Sequence, residues 1–155
     1  MDLQNAKYLN KLQREQLLQL WNREFPERLA YGALADLDRY LDQLNDARHL
    51  LLLDQDSLLG WYCDFQREGQ LWFVMILSSK IQKQGWGSRL LGMAKETVQE
   101  LHGWTIDHNG DCKQNGDPYR SPIPFYVRNG FEIVPEIRFE SPQLSAVKIH
   151  WKKEN

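Results

Sequence analysis

The sequence predicts a mixed α/β domain of the α+β class, with a central, mostly antiparallel, twisted sheet flanked by helices. Three observations carry this. Apolar residues recur at three- and four-residue spacing in three segments, as helices with one buried side require. Elsewhere the chain runs in short apolar or alternating stretches separated by polar turns, as strands require. The length of 155 residues suits one domain of about 100–200 residues, and without a linker or repeat to divide it, 1-155 reads as a single unit.

Asn10 supplies a helix cap ahead of Leu17, Trp21 and Phe25, with Leu18 widening the stripe until Pro26 ends it. After Gly32, the residues Leu34, Leu37, Leu41 and Leu44 repeat with aspartates between them, giving a second helix. His49 to Leu53 and Leu58 to Phe65 flank the polar turn Asp54-Gln55-Asp56-Ser57 and read as a hairpin. A turn at Glu68-Gly69 leads into Leu71 to Leu77, apolar on both faces and therefore a central strand. Past the polar loop from Ser78 to Gly87, a third helix is marked by Leu90, Leu91, Ala94, Val98 and Leu101. Trp104-Thr105-Ile106 forms another strand, and Asp107 to Tyr119 a long polar loop. Ser121-Pro122 opens a short helix that runs through Arg128 and closes at Asn129-Gly130. Phe131 to Phe139 and Ser145 to Trp151 complete the sheet as antiparallel strands.

Composition narrows the function classes. Lys and Arg total 19 against 21 Asp and Glu, a net charge of −2, which offers no general attraction to nucleic acid or to an anionic membrane. No apolar run approaches a membrane span and Met1 to Asn5 carries no signal core, so a cytoplasmic location is expected. Cys63 and Cys112 form neither a CxxC pair nor a Cys/His metal spacing; they are expected as free thiols, and no metal is expected. Locally, Lys80, Lys83, Arg89 and Lys95 form a window without acids, which suits either a solvated helix face or the docking of an anion.

Inside that window Gln82-Lys83-Gln84-Gly85-Trp86-Gly87-Ser88 joins the most apolar strand to an amphipathic helix. Glycines let a ligand approach the main chain, and free N–H groups at a helix start attract phosphate, so this is a candidate diphosphate cradle. The same two glycines also serve simply to turn the chain. The segment is not a dinucleotide fingerprint, because Leu90 stands where GxGxxG needs its last glycine, nor a Walker A loop, because no Gly-Lys-Ser/Thr follows.

Gln82, Gly85 and Gly87 match the Gln/Arg-x-x-Gly-x-Gly/Ala pattern of the GNAT superfamily of acyl-CoA-dependent N-acyltransferases. Tyr126 followed by Gly130-Phe131 matches that family's later pattern, and the chain resembles the family in element order throughout. The resemblance implies a sheet split near the fourth and fifth strands, acetyl-CoA as co-substrate and a primary amine acceptor; direct attack on the thioester in a ternary complex is the expected route, since neither Cys63 nor Cys112 sits in an evident nucleophile setting. It places the pantetheine arm on the main chain at Ile76 and Leu77 and the diphosphate on Lys83 to Ser88. A main-chain N–H near Leu77 would polarise the thioester carbonyl, and Tyr126 would protonate the leaving thiolate. A homodimer is compatible with it. The stretches Trp104 to His108 and Tyr119 to Pro122 resemble a bacterial subgroup of acetyltransferases, from which no acceptor follows.

The chain departs from the pattern in two places. Ser79 stands where the family commonly has proline, and the segment from Asp107 to Pro124 is long, with Asn109 and Asn115 both eligible as the family's coenzyme-contacting asparagine. For a general base, Asp107 and His108 follow the strand next to the split, with Glu68 and Asp64 as alternatives; each also suits a loop or capping role. His49, His102 and His150 are expected to satisfy local hydrogen bonds, while Trp21, Trp61 and Tyr31 suit either an acceptor pocket or the core. Two rival functions remain: an acyl-CoA-binding module without turnover, and a protein-interaction domain.

Overall fold

The computed structural model describes residues 1–154. The chain starts in strand β1 (Asp2–Ala6), which was not expected because this segment carries no apolar alternation. Its place comes from pairing along the edge of the sheet rather than from burial, with Leu3 opposite Leu52. Helix α1 (Lys11–Glu24) begins with a reciprocal cap: Asn10 Oδ1 accepts from the Gln13 N–H at 2.8 Å and Gln13 Oε1 from the Asn10 N–H at 2.9 Å. Helix α2 (Leu34–Asp42) follows, and then an antiparallel meander of β2 (Asn45–Asp54), β3 (Ser57–Arg67) and β4 (Gln70–Leu77). The turn after β3 places Glu68 and Gly69 at positive φ, the geometry a two-residue hairpin loop favours.

Helix α3 (Trp86–Lys95) ends sooner than its apolar spacing predicts, and Leu101 belongs to strand β5 (Glu100–Thr105). The β-branched pair Thr97-Val98 weakens the helix at this point, and Leu101 reaches the same core from a strand instead. Helix α4 (Ile123–Arg128), β6 (Glu132–Glu140) and β7 (Ser145–Lys152) complete the chain.

The seven strands lie in the order β1-β2-β3-β4-β5-β7-β6. Leu50 and Leu51 illustrate how the sheet divides the core, since successive strand residues face opposite sides. Leu51 packs with Leu17, Leu20, Trp21 and Leu37 of α1 and α2, and Leu50 with Leu90 and Leu91 of α3 and Tyr126 of α4. Strands β4 and β5 are parallel and register at one pair alone among the described residues, Trp72 with His102, near the start of both. Past that pair the two strands diverge, which is the expected split. Among the described residues, no helix is long and apolar enough to cross a membrane.

Candidate active site

Strand phase decides which main-chain groups line the split. The Ser78 N–H donates to Leu59 O at 2.8 Å, so Ser78 and Leu59 are a hydrogen-bonded antiparallel pair. Pairing alternates along the ladder, so Ile76 also turns its peptide groups to β3 whereas Leu77 and Met75 turn theirs into the split. The expectation for Ile76 is thereby corrected: its backbone is committed to β3 and its side chain is buried in the core under α1. Met75, not Ile76, shares with Leu77 the orientation toward the split. Gln82 Nε2 donates to Leu77 O at 3.0 Å, which holds the end of β4 to the loop that follows.

The same exit carries an unexpected carboxylate. Glu24 is buried; its Oε2 accepts the Ser79 N–H at 2.9 Å and contacts Arg23 Nε at 3.2 Å, and its Oε1 accepts from Lys113 Nζ at 3.2 Å. Burial by itself would raise the pKa, but the Ser79 N–H, Arg23 and Lys113 outweigh it and hold the carboxyl below its usual value. Proline at position 79 has no N–H to give, so the departure at Ser79 has a partner in Glu24. The sequence did carry a signal for Glu24, because position 24 continues the buried stripe Leu17, Leu20, Trp21.

At the helix start Gly85 is the N-cap of α3 with φ +87°, and the first i to i−4 bond runs from Arg89 N to Gly85 O at 3.1 Å. The N–H groups of Trp86, Gly87 and Ser88 therefore have no intrahelical acceptor, and no side chain among the described residues caps them. Lys83, Gln84 and Ser88 are exposed beside them. The basic window is narrower than its sequence suggests. Lys95 donates to Asn129 O and lies over the rings of Phe131 and Trp151 at 5.1 and 4.8 Å, leaving Lys80, Lys83 and Arg89 near the loop. Gly87 has a packing role, since a Cβ there would stand 3.0 Å from the Phe125 ring and push α4 away.

A cavity of about 360 Å³ borders the split, walled by Trp21, Tyr31, Trp72, Trp104 and Tyr126 with Arg67 at its margin. Its aromatic walls are paired, with ring centroids 5.1 Å apart and planes tilted by 30° and 33° for Trp21–Tyr31 and Trp72–Trp104. Trp61 is not among them: it is fully buried and donates from Nε1 to His49 Nδ1 at 3.0 Å. The Arg67 guanidinium lies over Phe65 at 4.9 Å and Trp72 at 5.8 Å, and forms no ion pair among the described residues. Among those residues no Asp, Glu, His or Lys lines this cavity. Tyr126 packs edge-on against Phe73 and Phe131, and its hydroxyl has no hydrogen-bond partner among the described residues. Burial, with a smaller effect of Tyr119, raises its pKa, while burial and Asp111 push Tyr119 up to about 12.

Asp107 and His108 are placed differently from expectation. Asp107 is gripped by Arg138 through two contacts of 2.7 and 3.1 Å, which hold its carboxyl below the ordinary value and make it a poor proton acceptor at neutral pH. His108 Nδ1 accepts the Gly110 N–H at 3.0 Å and its Nε2 lies 3.7 Å from Asp111 Oδ2, so both ring nitrogens are directed at the loop itself. Asn109 Oδ1 accepts the Ser121 N–H and Asn115 Oδ1 the Asp117 N–H, so both asparagines shape the loop. That loop is anchored to the segment after α1 by Arg28–Asp111 at 2.6 Å and by the Glu27 N–H to Cys112 O at 2.8 Å. Asp64 is buried beneath Arg48 at 2.6 Å and the Tyr62 hydroxyl at 2.8 Å, and Glu68 occupies an exposed turn. A larger hollow of about 610 Å³ lies between α2 and the start of β2, with charged walls that include Asp38, Asp42 and Asp46. The glycine loop after β4 is at the opposite end of the strands, so the split remains the candidate site.

Solved structures with this topology were found across the whole chain. An aminoglycoside 6'-N-acetyltransferase complexed with coenzyme A superposes with a TM-score of 0.72 at 15% identity, covering 98% of this chain and 97% of that one. An acetyltransferase assigned to the GNAT family from Bacteroides thetaiotaomicron gives 0.67 at 16% identity, covering 100% and 89%. The chain has the GNAT fold. An acyl-CoA N-acyltransferase from Pseudomonas aeruginosa shares it with a TM-score of 0.68 at 20% identity, covering 97% of this chain and 98% of that one. No family model matches the sequence, and no curated protein matches it. In this GNAT fold the outward main chain at Met75 and Leu77 leads, along one strand-loop-helix unit, to the uncapped start of α3.

Proposed function

We propose that the chain transfers an acetyl group from acetyl-CoA to a primary amine by direct attack in a ternary complex. The observation that carries this reading is the arrangement around the split, with outward peptide groups and a donor-lined helix start on one strand-loop unit beside an aromatic cavity. The Leu77 and Met75 peptides would hold the pantetheine arm, and Gln82 to Ser88 the diphosphate. A main-chain N–H at Leu77 would stabilise negative charge on the thioester oxygen as it develops. Tyr126, with an unpaired hydroxyl in the cavity wall, would protonate the departing thiolate. Cys63 is buried and its thiol is pushed up by burial, which favours direct transfer over an acyl-cysteine intermediate.

The lining also favours an acceptor class. Polycationic acceptors need carboxylates in the wall, and among the described residues this wall has none. An amine on a compact aromatic or aliphatic body with an anionic group suits the aromatic walls and Arg67, which forms no ion pair among the described residues. With no base among the described residues that line the cavity, the amine would lose its proton to water. Incubation with acetyl-CoA, a panel of anionic, neutral and polycationic amines and a thiol reagent tests the reading. Release of free CoA with an anionic aromatic or aliphatic amine is expected. Acetyl-CoA binding with no turnover on any amine would favour the binding-module rival, and failure of micromolar acetyl-CoA to raise the melting temperature would favour the interaction-domain rival. A homodimer would use the edge strand β6, where Ile133, Ile137 and Phe139 are exposed; sedimentation at micromolar concentration tests it.

A further inference from the structure

At the closed end of the split, three side chains converge on one face of the sheet. Glu100 and His102 are two apart on β5, so they share a face, and His150 of β7 stands directly opposite His102. Glu100 Oε2 lies 2.7 Å from His150 Nε2 and 3.7 Å from His102 Nε2, and one ligand atom from each residue falls within 4.8 Å of the others. The two imidazoles stack with centroids 4.5 Å apart and planes at 16°.

His102 does not behave as a histidine satisfied by its surroundings, contrary to the sequence expectation. It is 4% exposed and neither ring nitrogen has a hydrogen-bond partner among the described residues. A buried polar atom left unpaired costs about 1–3 kcal/mol, so a ring with two such atoms calls for a ligand. His49 and His150, by contrast, are each bonded as expected.

We propose that Glu100, His102 and His150 form a binding site for a first-row divalent transition metal, with zinc as the natural occupant. Two imidazoles and one carboxylate are a recurrent zinc set, with ligand distances near 2.0–2.2 Å. Tetrahedral ligands at that radius are about 3.4 Å apart. The 2.7 and 3.7 Å separations from Glu100 bracket this value, and the two stacked rings must turn toward each other for their nitrogens to meet one ion. The remaining coordination position faces solvent, since the His150 and Glu100 side chains are 28% and 46% exposed. Lys148 and Lys152 flank His150 on its face of β7 and Glu132 of β6 stands opposite His150, so beyond the ligand Glu100, itself opposite Lys152, two lysines stand against one glutamate.

The site lies beside the residue pair that joins β4 to β5, Trp72 with His102. An ion here would clasp β5 to β7 at the apex of the split, with Trp72 between it and the aromatic cavity. Its role is therefore to stiffen the closed end, and acetyl transfer requires no step through it.

The test uses full-length protein freed of metal by chelator and titrated separately with Zn²⁺, followed by calorimetry and melting temperature, and with Co²⁺, followed by visible absorption. The expected result is one tight equivalent, tetrahedral cobalt bands and a raised melting temperature. Substitution of partly or well exposed ligands, His150→Gln and Glu100→Gln, should each lose more than the roughly 10–100-fold that removing an outer-shell partner costs. Cys112→Ser and His108→Gln, elsewhere on the surface, should bind as the parent does. Absence of a stoichiometric Zn²⁺ site in the folded parent would overturn the proposal. So would parent-like binding in the folded His150→Gln and Glu100→Gln variants.

Discussion

Replacing Ser79 by proline isolates one hydrogen bond at the neck of the candidate site. Ser78 precedes it with φ −57° and ψ 138°, the extended conformation that a residue before proline prefers, and Ser79 opens a 3-10 turn where a proline ring fits. The substitution therefore removes the N–H that donates to Glu24 Oε2 at 2.9 Å and strains little else. A hydrogen bond to a charged group contributes about 1.5–3 kcal/mol, and proline returns about 0.4–1 kcal/mol by restricting the unfolded chain. The net loss is about 1–2 kcal/mol at neutral pH, equivalent to a fall in melting temperature of about 2–8 °C for a chain of this size.

Glu24 sets the pH dependence of this loss. Its folded pKa is depressed, so its contribution is fully present above the unfolded value near 4.3 and disappears as pH falls through the folded value. The Ser79→Pro penalty should therefore shrink on acidification below about pH 4. In a Glu24→Gln background the lost bond is neutral, about 0.5–1.5 kcal/mol, and proline's gain nearly cancels it. Urea titrations of the four proteins of this cycle at pH 7 and at about pH 3, below the onset of Glu24 protonation, measure the coupling. Two results would refute the reasoning: a Ser79→Pro protein as stable as the parent at pH 7, or a penalty of the same size in the parent and in the Glu24→Gln background.

Four further outcomes are expected. Tyr126→Phe keeps the packing against Phe73 and Phe131 but removes the proposed acid, so turnover should fall by roughly 10²–10⁴-fold with CoA affinity nearly unchanged; near-normal turnover where chemistry limits the rate would reject that role. Gly85→Val must adopt φ +87° but meets open space, so it should fold less stably by about 1–2 kcal/mol and weaken CoA binding, whereas Gly87→Val should lose about 1–3 kcal/mol by collision with Phe125; a folded Gly85→Val protein with parental CoA affinity argues against the cradle. His49 is pushed down to about 4 by burial, so the folded state resists its protonation and stability should fall as pH drops from 6.5 toward 4; a His49→Gln protein should lose this slope, and an unchanged slope would assign it elsewhere. Arg67→Gln should raise the Michaelis constant for anionic amines about tenfold or more, as loss of a charged hydrogen bond implies, while leaving that for acetyl-CoA unchanged; equal effects on both would remove Arg67 from the acceptor site.

Most elements were legible because burial imposes a period on the sequence. The stripes of α1 and α2, the two hairpin turns and the apolar β4 all follow from which residues leave water. β1 was illegible for the opposite reason: at the sheet edge it is held by backbone pairing, to which Asp2, Gln4 and Asn5 contribute no hydrophobic signal. The misplaced end of α3 has a related cause. Leu101 lies seven residues after Ala94, so it continues the helical stripe, yet it fills the same core from the neighbouring strand. A short apolar run satisfies either geometry, and tertiary packing selects between them.

That one boundary also governed what could be seen of the chemistry. With Leu101 on a helix, Glu100 and His102 point away from each other and no ligand set exists; on a strand, two residues apart is the spacing that brings side chains to one face. His150 then joins them through antiparallel register, a relation between distant parts of the chain that no local pattern contains. The coenzyme side of the split was easier to read because its chemistry is local: Gly85 and the uncapped N–H groups behind it are consecutive in sequence. The main-chain assignment on β4 shows the limit of such reading. Ile76 and Leu77 are adjacent and equally apolar, and only the Ser78–Leu59 bond fixes the phase that turns Leu77 into the split and Ile76 away from it. The proton chemistry depended on partners still further away. Asp107 looked available beside its strand, but Arg138, thirty-one residues on, holds it as an ion pair, while Tyr126 kept a hydroxyl without a partner among the described residues.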